Sequence, residues 1–235
     1  MPKKNAFDAS AVFPAKETCG IFNVTGSFAK EKTELMEKRN NLILITGLPA
    51  AGKSRFTAYA AERLGYPVLE KDAYKELLFD DIGFQSRQEK EHLGTAAMDI
   101  MYKVAGQFLD NGSSVILDNN FESASLPGLK RLTEEHPCNL VTVRFEGAVE
   151  AIYERFVKRD PDPNRHRGHI VNTQYPETGE PQPYVPISCE AFEKKFRERG
   201  MMDFYPGGAL ITVDVTSFEG FSNEALFARL KEKLV

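Results

Sequence analysis

The sequence lacks the features that mark several common classes of protein. Its 235 residues contain no apolar run of about 18 residues, so we expect no membrane-spanning helix. The basic residues at its start are not followed by an apolar segment, which disfavours a secretory signal. The cysteines, Cys19, Cys138 and Cys189, are scattered and odd in number, as is typical of reduced thiols. We therefore expect a cytoplasmic protein that makes no contact with a membrane.

The net charge, the lack of a guanine-recognition motif and the lack of a zinc-ligand set exclude further classes of protein. With a formal net charge of −4 the chain has no overall attraction to nucleic acid, so any site for a polyanion must be local. The N-K-x-D segment with which GTPases recognise guanine is absent, and the D-x-x-G match at residues 80–83 follows a predicted helix rather than a strand. His166 and His169 have no cysteine or third histidine nearby, so we expect no zinc site.

The chain does contain a phosphate-binding motif, at residues 47–54, which match G-x-x-x-x-G-K-[ST] at every position. An apolar, β-branched run at residues 42–46 precedes the motif, and Phe56, Ala60 and Leu64 recur after it at helical spacing. This order of strand, loop and helix places backbone N–H groups at a helix N-terminus, where phosphate binds. The flanking pattern disfavours the alternative, a glycine-rich turn that matches by chance. The predicted nucleotide-binding residues are Gly47, Leu48, Pro49, Ala50, Ala51, Gly52, Lys53, Ser54 and Arg55.

The predicted nucleotide site also includes residues that contact the phosphates and Mg²⁺. We expect Lys53 to reach the β- and γ-phosphates and the Ser54 hydroxyl to bind Mg²⁺. Asp118 follows a third predicted strand, as does the Mg²⁺-binding carboxylate of such sites, although a turn or capping aspartate is the alternative. Many ATP hydrolases carry a glutamate at the next position to polarise water, and here it is Asn119. The amide favours transfer to a bound acceptor and disfavours a mechanical ATPase.

Asp72 is the predicted catalytic base. It follows a second predicted strand, residues 67–70, and so lies at the same edge of the sheet as the phosphate-binding loop. A carboxylate there can accept the proton of an acceptor hydroxyl, as the catalytic aspartate of kinases does. The alternative is that Asp72 only caps the helix that follows it. Lys71 is a candidate for binding substrate or phosphate, although taken alone it fits a solvated surface lysine better.

A local cluster of basic residues follows the fourth predicted strand. Arginine suits phosphate because its planar guanidinium donates two parallel hydrogen bonds, and a lid that carries arginines would exclude water on closing. The alternative is a solvated basic helix end. Arg155 and Arg159 are predicted to be catalytic, and Arg165 and Arg167, with Asn119, Asn120 and Lys71, to bind substrate or belong to the lid.

From residue 41 onward, strand and helix patterns alternate, which predicts an α/β fold with a parallel sheet. Ser86 and Glu89 form a predicted capping box for a long helix, whose buried face includes Ile100. Residues 18–28 fit a hairpin or a packed arm, and residues 30–39 a charged helix or linker. We therefore predict an N-terminal extension of unclear role, residues 1–40, and a domain, residues 41–235, with an irregular lid at 160–187.

These segments resemble the P-loop kinase group, with AAA-type ATP binding, that includes zeta-toxin-like and polynucleotide-kinase-like proteins. The similar segments are residues 42–54, 68–72, 75–79, 115–121 and 155–169. The resemblance implies a three-layer α/β/α fold whose five-stranded parallel sheet has the order 2-3-1-4-5. It also implies that Asp72 lies near the acceptor and that the arginines form a lid.

The leading functional hypothesis is a kinase that transfers the γ-phosphoryl group of ATP·Mg²⁺ to a hydroxyl of a metabolite, nucleotide sugar or antibiotic. One alternative is a polynucleotide 5′-hydroxyl kinase, which is disfavoured because the basic cluster already serves the lid and no second one is evident. Another is a nucleotide-dependent switch that retains its nucleotide without transferring phosphate. The sequence identifies no protein partner.

Overall fold

A five-stranded parallel sheet forms the centre of the domain, in a computed structural model that describes residues 40–180 and 183–235. The elements predicted within residues 18–39 lie outside the described residues. The strand order is β2-β3-β1-β4-β5, which confirms the predicted fold. The strands are β1 (Asn41–Gly47), β2 (Val68–Glu70), β3 (Val115–Asp118), β4 (Asn139–Glu146) and β5 (Ala209–Asp214).

Helices cover both faces of this sheet. A short 3-10 helix, Ser123–Ser125, precedes the fourth α-helix. None of the helices in the described ranges has the length and apolar character needed to cross a bilayer. The α-helices are α1 (Lys53–Leu64), α2 (Lys71–Asp81), α3 (Arg87–Asp110), α4 (Leu126–Glu135), α5 (Val149–Arg159), α6 (Arg167–Ile170), α7 (Cys189–Glu198) and α8 (Asn223–Lys231).

Two hydrophobic cores result because the side chains of β1 alternate between the faces of the sheet. Ile43 and Ile45 pack on one face with Phe56 of α1, and α5, α7 and α8 add to this core. Leu42 and Leu44 pack on the other face with residues of α3 and α4. All seven residues of β1 are buried, as a parallel strand covered on both faces requires.

The long helix α3 differs from its prediction in two details. The Ser86 side chain accepts from the Glu89 N–H as predicted, but the Glu89 carboxylate accepts from the Gln85 N–H at 2.6 Å, one residue earlier than in a capping box. Ile100, predicted to be buried, is 38% exposed. Ala97 and Met101 of the predicted apolar face are buried, and the buried stripe continues through Ala105, a small residue that lets the helix approach the sheet.

The register of the sheet brings the ends of three strands together. Asp118 at the end of β3 pairs with Ile45 of β1 on one side and with Glu70 of β2 on the other. The loop after β1, the start of α2 and the residues after β3 therefore share one edge of the sheet, which is where ligands bind in parallel α/β folds.

Candidate active site

The phosphate-binding loop has a backbone that its glycines permit. Gly47 and Gly52 have φ values of 139° and 86°, and Ala50, at 65°, is the non-glycine residue with a positive φ in the described ranges. A Cβ on Gly47 would lie 2.3 Å from the Phe145 carbonyl oxygen, so the close approach of β4 excludes any side chain there. Leu48 and Ala51 are buried, which fixes the loop to the core.

Lys53 begins α1, and its side chain is only 8% exposed. Its ammonium donates to the carbonyl oxygens of Gly47 and Leu48, at 3.2 and 3.0 Å, and to Oδ1 of Asn120, at 2.5 Å. Burial lowers the pKa of Lys53 to about 8, against the opposing effects of Asp118 and Asp72. The stem of Lys53 is therefore buried, and its ammonium is held at the phosphate-binding loop itself.

Asp118 is a buried carboxylate, 9% exposed, that accepts from the Thr57 hydroxyl at 2.6 Å. Burial raises its pKa, an effect that the charge of Lys53 and the hydrogen bond from Thr57 offset in part. Sequence reasoning missed Thr57, although its position four residues after Lys53 on α1 puts both side chains on the same face of the helix.

The residues at this edge suit Mg²⁺ only in company with a nucleotide. The described residues contain no group of three His, Cys, Asp or Glu side chains that could hold a metal ion by themselves. Ser54 is exposed on the first turn of α1, and Asp118 would provide a second oxygen ligand. One hydroxyl and one carboxylate fit Mg²⁺, which commonly keeps several waters and binds the phosphates of a substrate.

The two asparagines after β3 take different positions. Asn120 bonds to Lys53, as described above. Asn119 is 8% exposed, its N–H donates to the Ile45 carbonyl at 3.2 Å, and its side chain lies against the Met98 sulfur at 3.9 Å. Asn119 thus stands where a hydrolase would carry its glutamate, but its amide is packed rather than free to polarise water.

Asp72 is the second residue of α2 and the acidic residue of its first turn. It is open to solvent, and no hydrogen bond or ion pair to it occurs among the described residues. Desolvation of the carboxylate by the groups around it raises its pKa, but nearby positive charges outweigh that effect and lower the pKa below its ordinary value. In order of effect, those charges belong to His169, Lys75, Lys71 and Lys53.

Arg159 and Arg165 meet at a buried carboxylate. Asp160, 5% exposed, accepts from Nη2 of Arg159 at 3.0 Å and lies 3.2 Å from Nε of Arg165. The charge of Arg159 reaches the phosphate-binding loop, since it contributes to the lowered pKa of Lys53. Sequence reasoning missed this arrangement, because Asp160 belongs to what reads as a proline-containing loop.

The other two predicted lid arginines lie elsewhere. Arg155 donates to the Val215 carbonyl at 2.7 Å and stacks over the Phe218 ring at 4.7 Å. That ring lies against the phosphate-binding loop, since a Cβ on Gly52 would meet it at 2.7 Å. Arg167 forms two hydrogen bonds of 2.8 Å to the Glu177 carboxylate.

Much of the predicted lid is attached to α2. Tyr175 exchanges two backbone hydrogen bonds of 2.8 Å with Phe84, and both rings pack with Phe79. His166 contacts Asp80 at 3.0 Å, and His169 contacts Glu76 at 2.7 Å, so both histidines are held by carboxylates of this helix.

Lys90 of α3 holds the same segment from the other side. Its ammonium donates to the carbonyl oxygens of His169 and Val171, at 3.1 and 2.5 Å, and to Oδ1 of Asn172 at 3.1 Å. Residues 166–177, which we call the docked segment, are thus attached to both α2 and α3.

A large cavity of about 1070 Å³ lies between α2, α3, α7 and the residues around the 3-10 helix. Lys71 and Lys75 line it, as do Lys90, Lys195 and His169. Sequence reasoning missed this second basic cluster because its members come from separate segments. The argument that the chain has a single basic cluster, used above against a polynucleotide substrate, is therefore wrong.

Comparisons with known proteins agree with this geometry. A family model described as an AAA domain matches residues 42–173. A search of curated proteins finds no match. A candidate kinase from Chloroflexus aurantiacus J-10-fl is 29% identical over 84% of this chain and 100% of its own, with a TM-score of 0.70.

Two further solved structures show the fold alone. The Mycobacterium tuberculosis APS kinase, in complex with AMPPNP and APS, is 16% identical over 83% of this chain and 97% of its own, with a TM-score of 0.51. A sugar kinase from Janibacter sp. HTCC2649 is 14% identical over 83% of this chain and 93% of its own, with a TM-score of 0.50. The P-loop kinase fold is thereby confirmed, while a zeta-toxin-like or polynucleotide-kinase-like subgroup stays a prediction.

Proposed function

The chain belongs to the AAA domain family, and we propose that it is a kinase that transfers the γ-phosphoryl group of ATP to a hydroxyl of a small-molecule acceptor. The observation that carries the proposal is the position of Asp72. It is an ionised, solvent-open carboxylate without a partner in the described ranges, influenced both by Lys53 of the phosphate-binding loop and by the lysines of a large cavity.

In the proposed reaction, Asp72 accepts the proton of the acceptor hydroxyl while that oxygen attacks the γ-phosphorus. The bond from the γ-phosphorus to the bridging oxygen breaks, and ADP leaves. Lys53 binds the β- and γ-phosphates, and Arg159 or Arg165 turns from Asp160 to the transferring group. Ser54 and Asp118 would hold Mg²⁺, which neutralises phosphate charge when bound.

Transfer to an acceptor rather than to water is supported by Asn119. The residue after Asp118 is a packed amide that cannot accept a proton from water. A polynucleotide 5′-hydroxyl kinase is the second candidate, because the basic cavity also suits a phosphodiester chain. A cytoplasmic location and the absence of a membrane partner remain predictions.

The test is ADP release from ATP·Mg²⁺ across a panel of hydroxyl compounds, compared with the rate in their absence. We expect release well above the water background with at least one compound, and loss of that excess in Asp72→Asn. Tight retention of nucleotide, with no compound exceeding the background, would instead identify a nucleotide-dependent switch.

A further inference from the structure

The cavity beside Asp72 has an unusual balance of charge for an acidic protein. Eight lysine and arginine side chains line it, against four carboxylates. The whole chain carries a net charge of −4, so this excess of positive charge is local to the cavity. Cations gathered in a concave site focus the field and attract anions.

Most of the carboxylates are already neutralised by neighbouring side chains. Glu91 pairs with Arg87 at 2.9 Å, Glu198 with Lys194 at 4.0 Å, and Glu122 with Arg199. Only Asp99, of the four, forms no ion pair among the described residues. The remaining cations therefore have only Asp99 as an unpaired carboxylate in the cavity lining, and Asp72 is the main other anion that acts on Lys71 and Lys75.

The unpaired cations are Lys71 and Lys75 on α2, Lys90 on α3, Lys195 on α7 and Arg131 on α4. None of them forms an ion pair within residues 40–180 and 183–235. Lys71 and Lys75 lie on the same face of α2, since they are four residues apart. Lys90 bonds only to neutral oxygens, and because its pKa is lowered to about 7 it carries only part of a positive charge near neutral pH.

These side chains are close enough to repel one another. Burial, together with the charges of Lys75, Arg87 and Lys195, lowers the pKa of Lys90 to about 7. Burial likewise lowers the pKa values of Lys71 and Lys195, and Lys75 adds to both effects. Repulsion between like charges costs free energy, and a bound anion would remove that cost.

Asp72, the proposed catalytic base, does not itself line the cavity, but its neighbour Lys71 does. Lys71 precedes Asp72 in α2, and the positive charges that lower the pKa of Asp72 include those of Lys71 and Lys75. An acceptor in the cavity can therefore present a hydroxyl to Asp72 while its other groups contact the lysines. Such contacts away from the reacting atoms position the hydroxyl for attack.

We infer that this cavity binds a small hydroxyl acceptor that itself carries phosphate groups, such as a sugar phosphate or a nucleotide, and that Lys75 and Lys195 recognise those groups. The inference rests on the proposed kinase function and names its substrate class. A volume of about 1070 Å³ is at the upper end for a small-molecule site and accommodates a compound larger than a monosaccharide. A neutral polyol or a cationic antibiotic would leave the lysines without counter-charge.

Binding is tested first, apart from catalysis. The full chain is saturated with AMPPNP·Mg²⁺ to fill the donor site and is then titrated with fructose 1,6-bisphosphate, with fructose as the neutral match. We expect the bisphosphate to bind and fructose not to, and the affinity to fall with rising salt. Lys75→Glu and Lys195→Glu should each weaken the bisphosphate at least about tenfold. The control Lys231→Glu, an equal charge change on α8 outside the cavity, should not.

AMPPNP affinity and the melting temperature report whether each variant folds. Lys195 is exposed on α7, so its variant still tests the inference if Lys75→Glu does not fold. Failure of the bisphosphate to bind, or equal binding by wild type and a folded Lys195→Glu, overturns the inference. A 5′-hydroxyl oligonucleotide whose affinity keeps rising with length beyond a dinucleotide overturns the assignment to a small molecule.

Turnover then separates this inference from the proposed function. Pairs of acceptors that differ only in a phosphate group are compared by ADP release, and we expect the phosphorylated member to be used better. Equal use of both members, unaffected by Lys195→Glu, leaves a kinase but overturns the anionic acceptor. Lysine-dependent binding of the bisphosphate with no acceptor-dependent ADP release supports the cavity and contradicts the kinase.

Discussion

Two basic clusters lie near the phosphate-binding loop, and they differ in what their charges contact. The arginine cluster, residues 155–167, is nearly continuous in sequence, yet each member has a partner in the protein. Arg155 donates to a carbonyl, Arg167 pairs with Glu177, Arg159 bonds to Asp160, and Arg165 forms an ion pair with Asp160. The lysine cluster of the cavity comes from separate segments, and Lys71, Lys75 and Lys195 form no ion pair in the part of the chain that the structure describes.

The difference teaches that proximity in sequence does not make a charge available to a ligand. A ligand gains most from cations that the fold has already brought together and left without counter-charge, because no existing pair must be broken. An arginine held by a carboxylate must first leave that partner. The arginine cluster therefore suits a step that happens on closure, and the lysine cluster suits binding of the acceptor.

The largest loss of turnover is expected at Lys53, which belongs to neither cluster. Losses in variants of either cluster are compared with it. Lys53→Ala should lower ATP-dependent turnover at least about 100-fold, because it removes a fixed charge from the developing phosphate charge. It should also destabilise the fold by about 1–3 kcal/mol, since three oxygens lose their donor. Steady-state kinetics and thermal unfolding measure both, with Arg63→Ala at the exposed end of α1 as the control. Near-normal turnover would mean that the loop is not the donor site.

The second-largest effect is expected at Asp72, which lies near both clusters. Asp72→Asn should lower turnover about 100-fold with little change in ATP affinity, because an amide cannot accept the hydroxyl proton. Its melting temperature should stay close to that of the wild type, since no hydrogen bond or ion pair to Asp72 occurs among the described residues. Asp81→Asn, an exposed change at the other end of α2, is the matched control. A large loss of stability with normal turnover would show that Asp72 only supports its helix.

The pH dependence of turnover sharpens the same assignment. The pKa of Asp72 is lowered, so the carboxylate stays ionised well below neutral pH. Loss of its ability to accept a proton is therefore expected only as the pH falls below about 4, its ordinary range. Wild-type turnover at saturating ATP·Mg²⁺ should thus show no decline due to this group between pH 7 and about pH 5. A group titrating near pH 6 that disappears in Asp72→Asn would contradict the lowered pKa.

The sequence predicted the donor site far better than the acceptor site. β1, α1 and the loop between them follow from local patterns: an apolar run, glycines where φ is positive, and helical spacing that ends at Gly65. Strand order followed from the family resemblance, since local patterns do not specify which strands pair.

The acceptor site depends on contacts between distant segments. Lys75 and Lys195 are 120 positions apart in the chain, and only the packing of α2 and α7 around the cavity brings their charges together. Asp160 likewise looks like part of a solvated loop, and its burial between two arginines depends on how the chain folds after α5. The prediction that Ile100 is buried is wrong for the same reason, because the positions of α4 and the sheet decide which face of α3 is buried.

Within the arginine cluster, Arg159 and Arg167 should behave differently. Arg159→Ala is expected to lower turnover about tenfold or more while ATP affinity changes less, because its contact forms with the transferring group. Arg167→Ala removes the pair with Glu177 and should lower the stability of the docked segment with a smaller effect on turnover. Equal losses of turnover in both variants would mean that the cluster acts only as a basic surface.

The smallest effect concerns movement of the predicted lid, residues 160–187. The amides of Val171 and Tyr175 donate to backbone oxygens in the docked segment and across to Phe84, so we expect slow exchange of both with or without ligands. A gain in protection on adding AMPPNP·Mg²⁺ and an acceptor should appear instead in residues 160–165, where Asp160 holds Arg159 and Arg165. Hydrogen exchange resolved to short peptides measures this difference. Rapid exchange throughout the docked segment that slows on saturation with ligands would support a lid that spans all of residues 160–187. No change in exchange anywhere would indicate that the arginines stay paired with Asp160 during turnover.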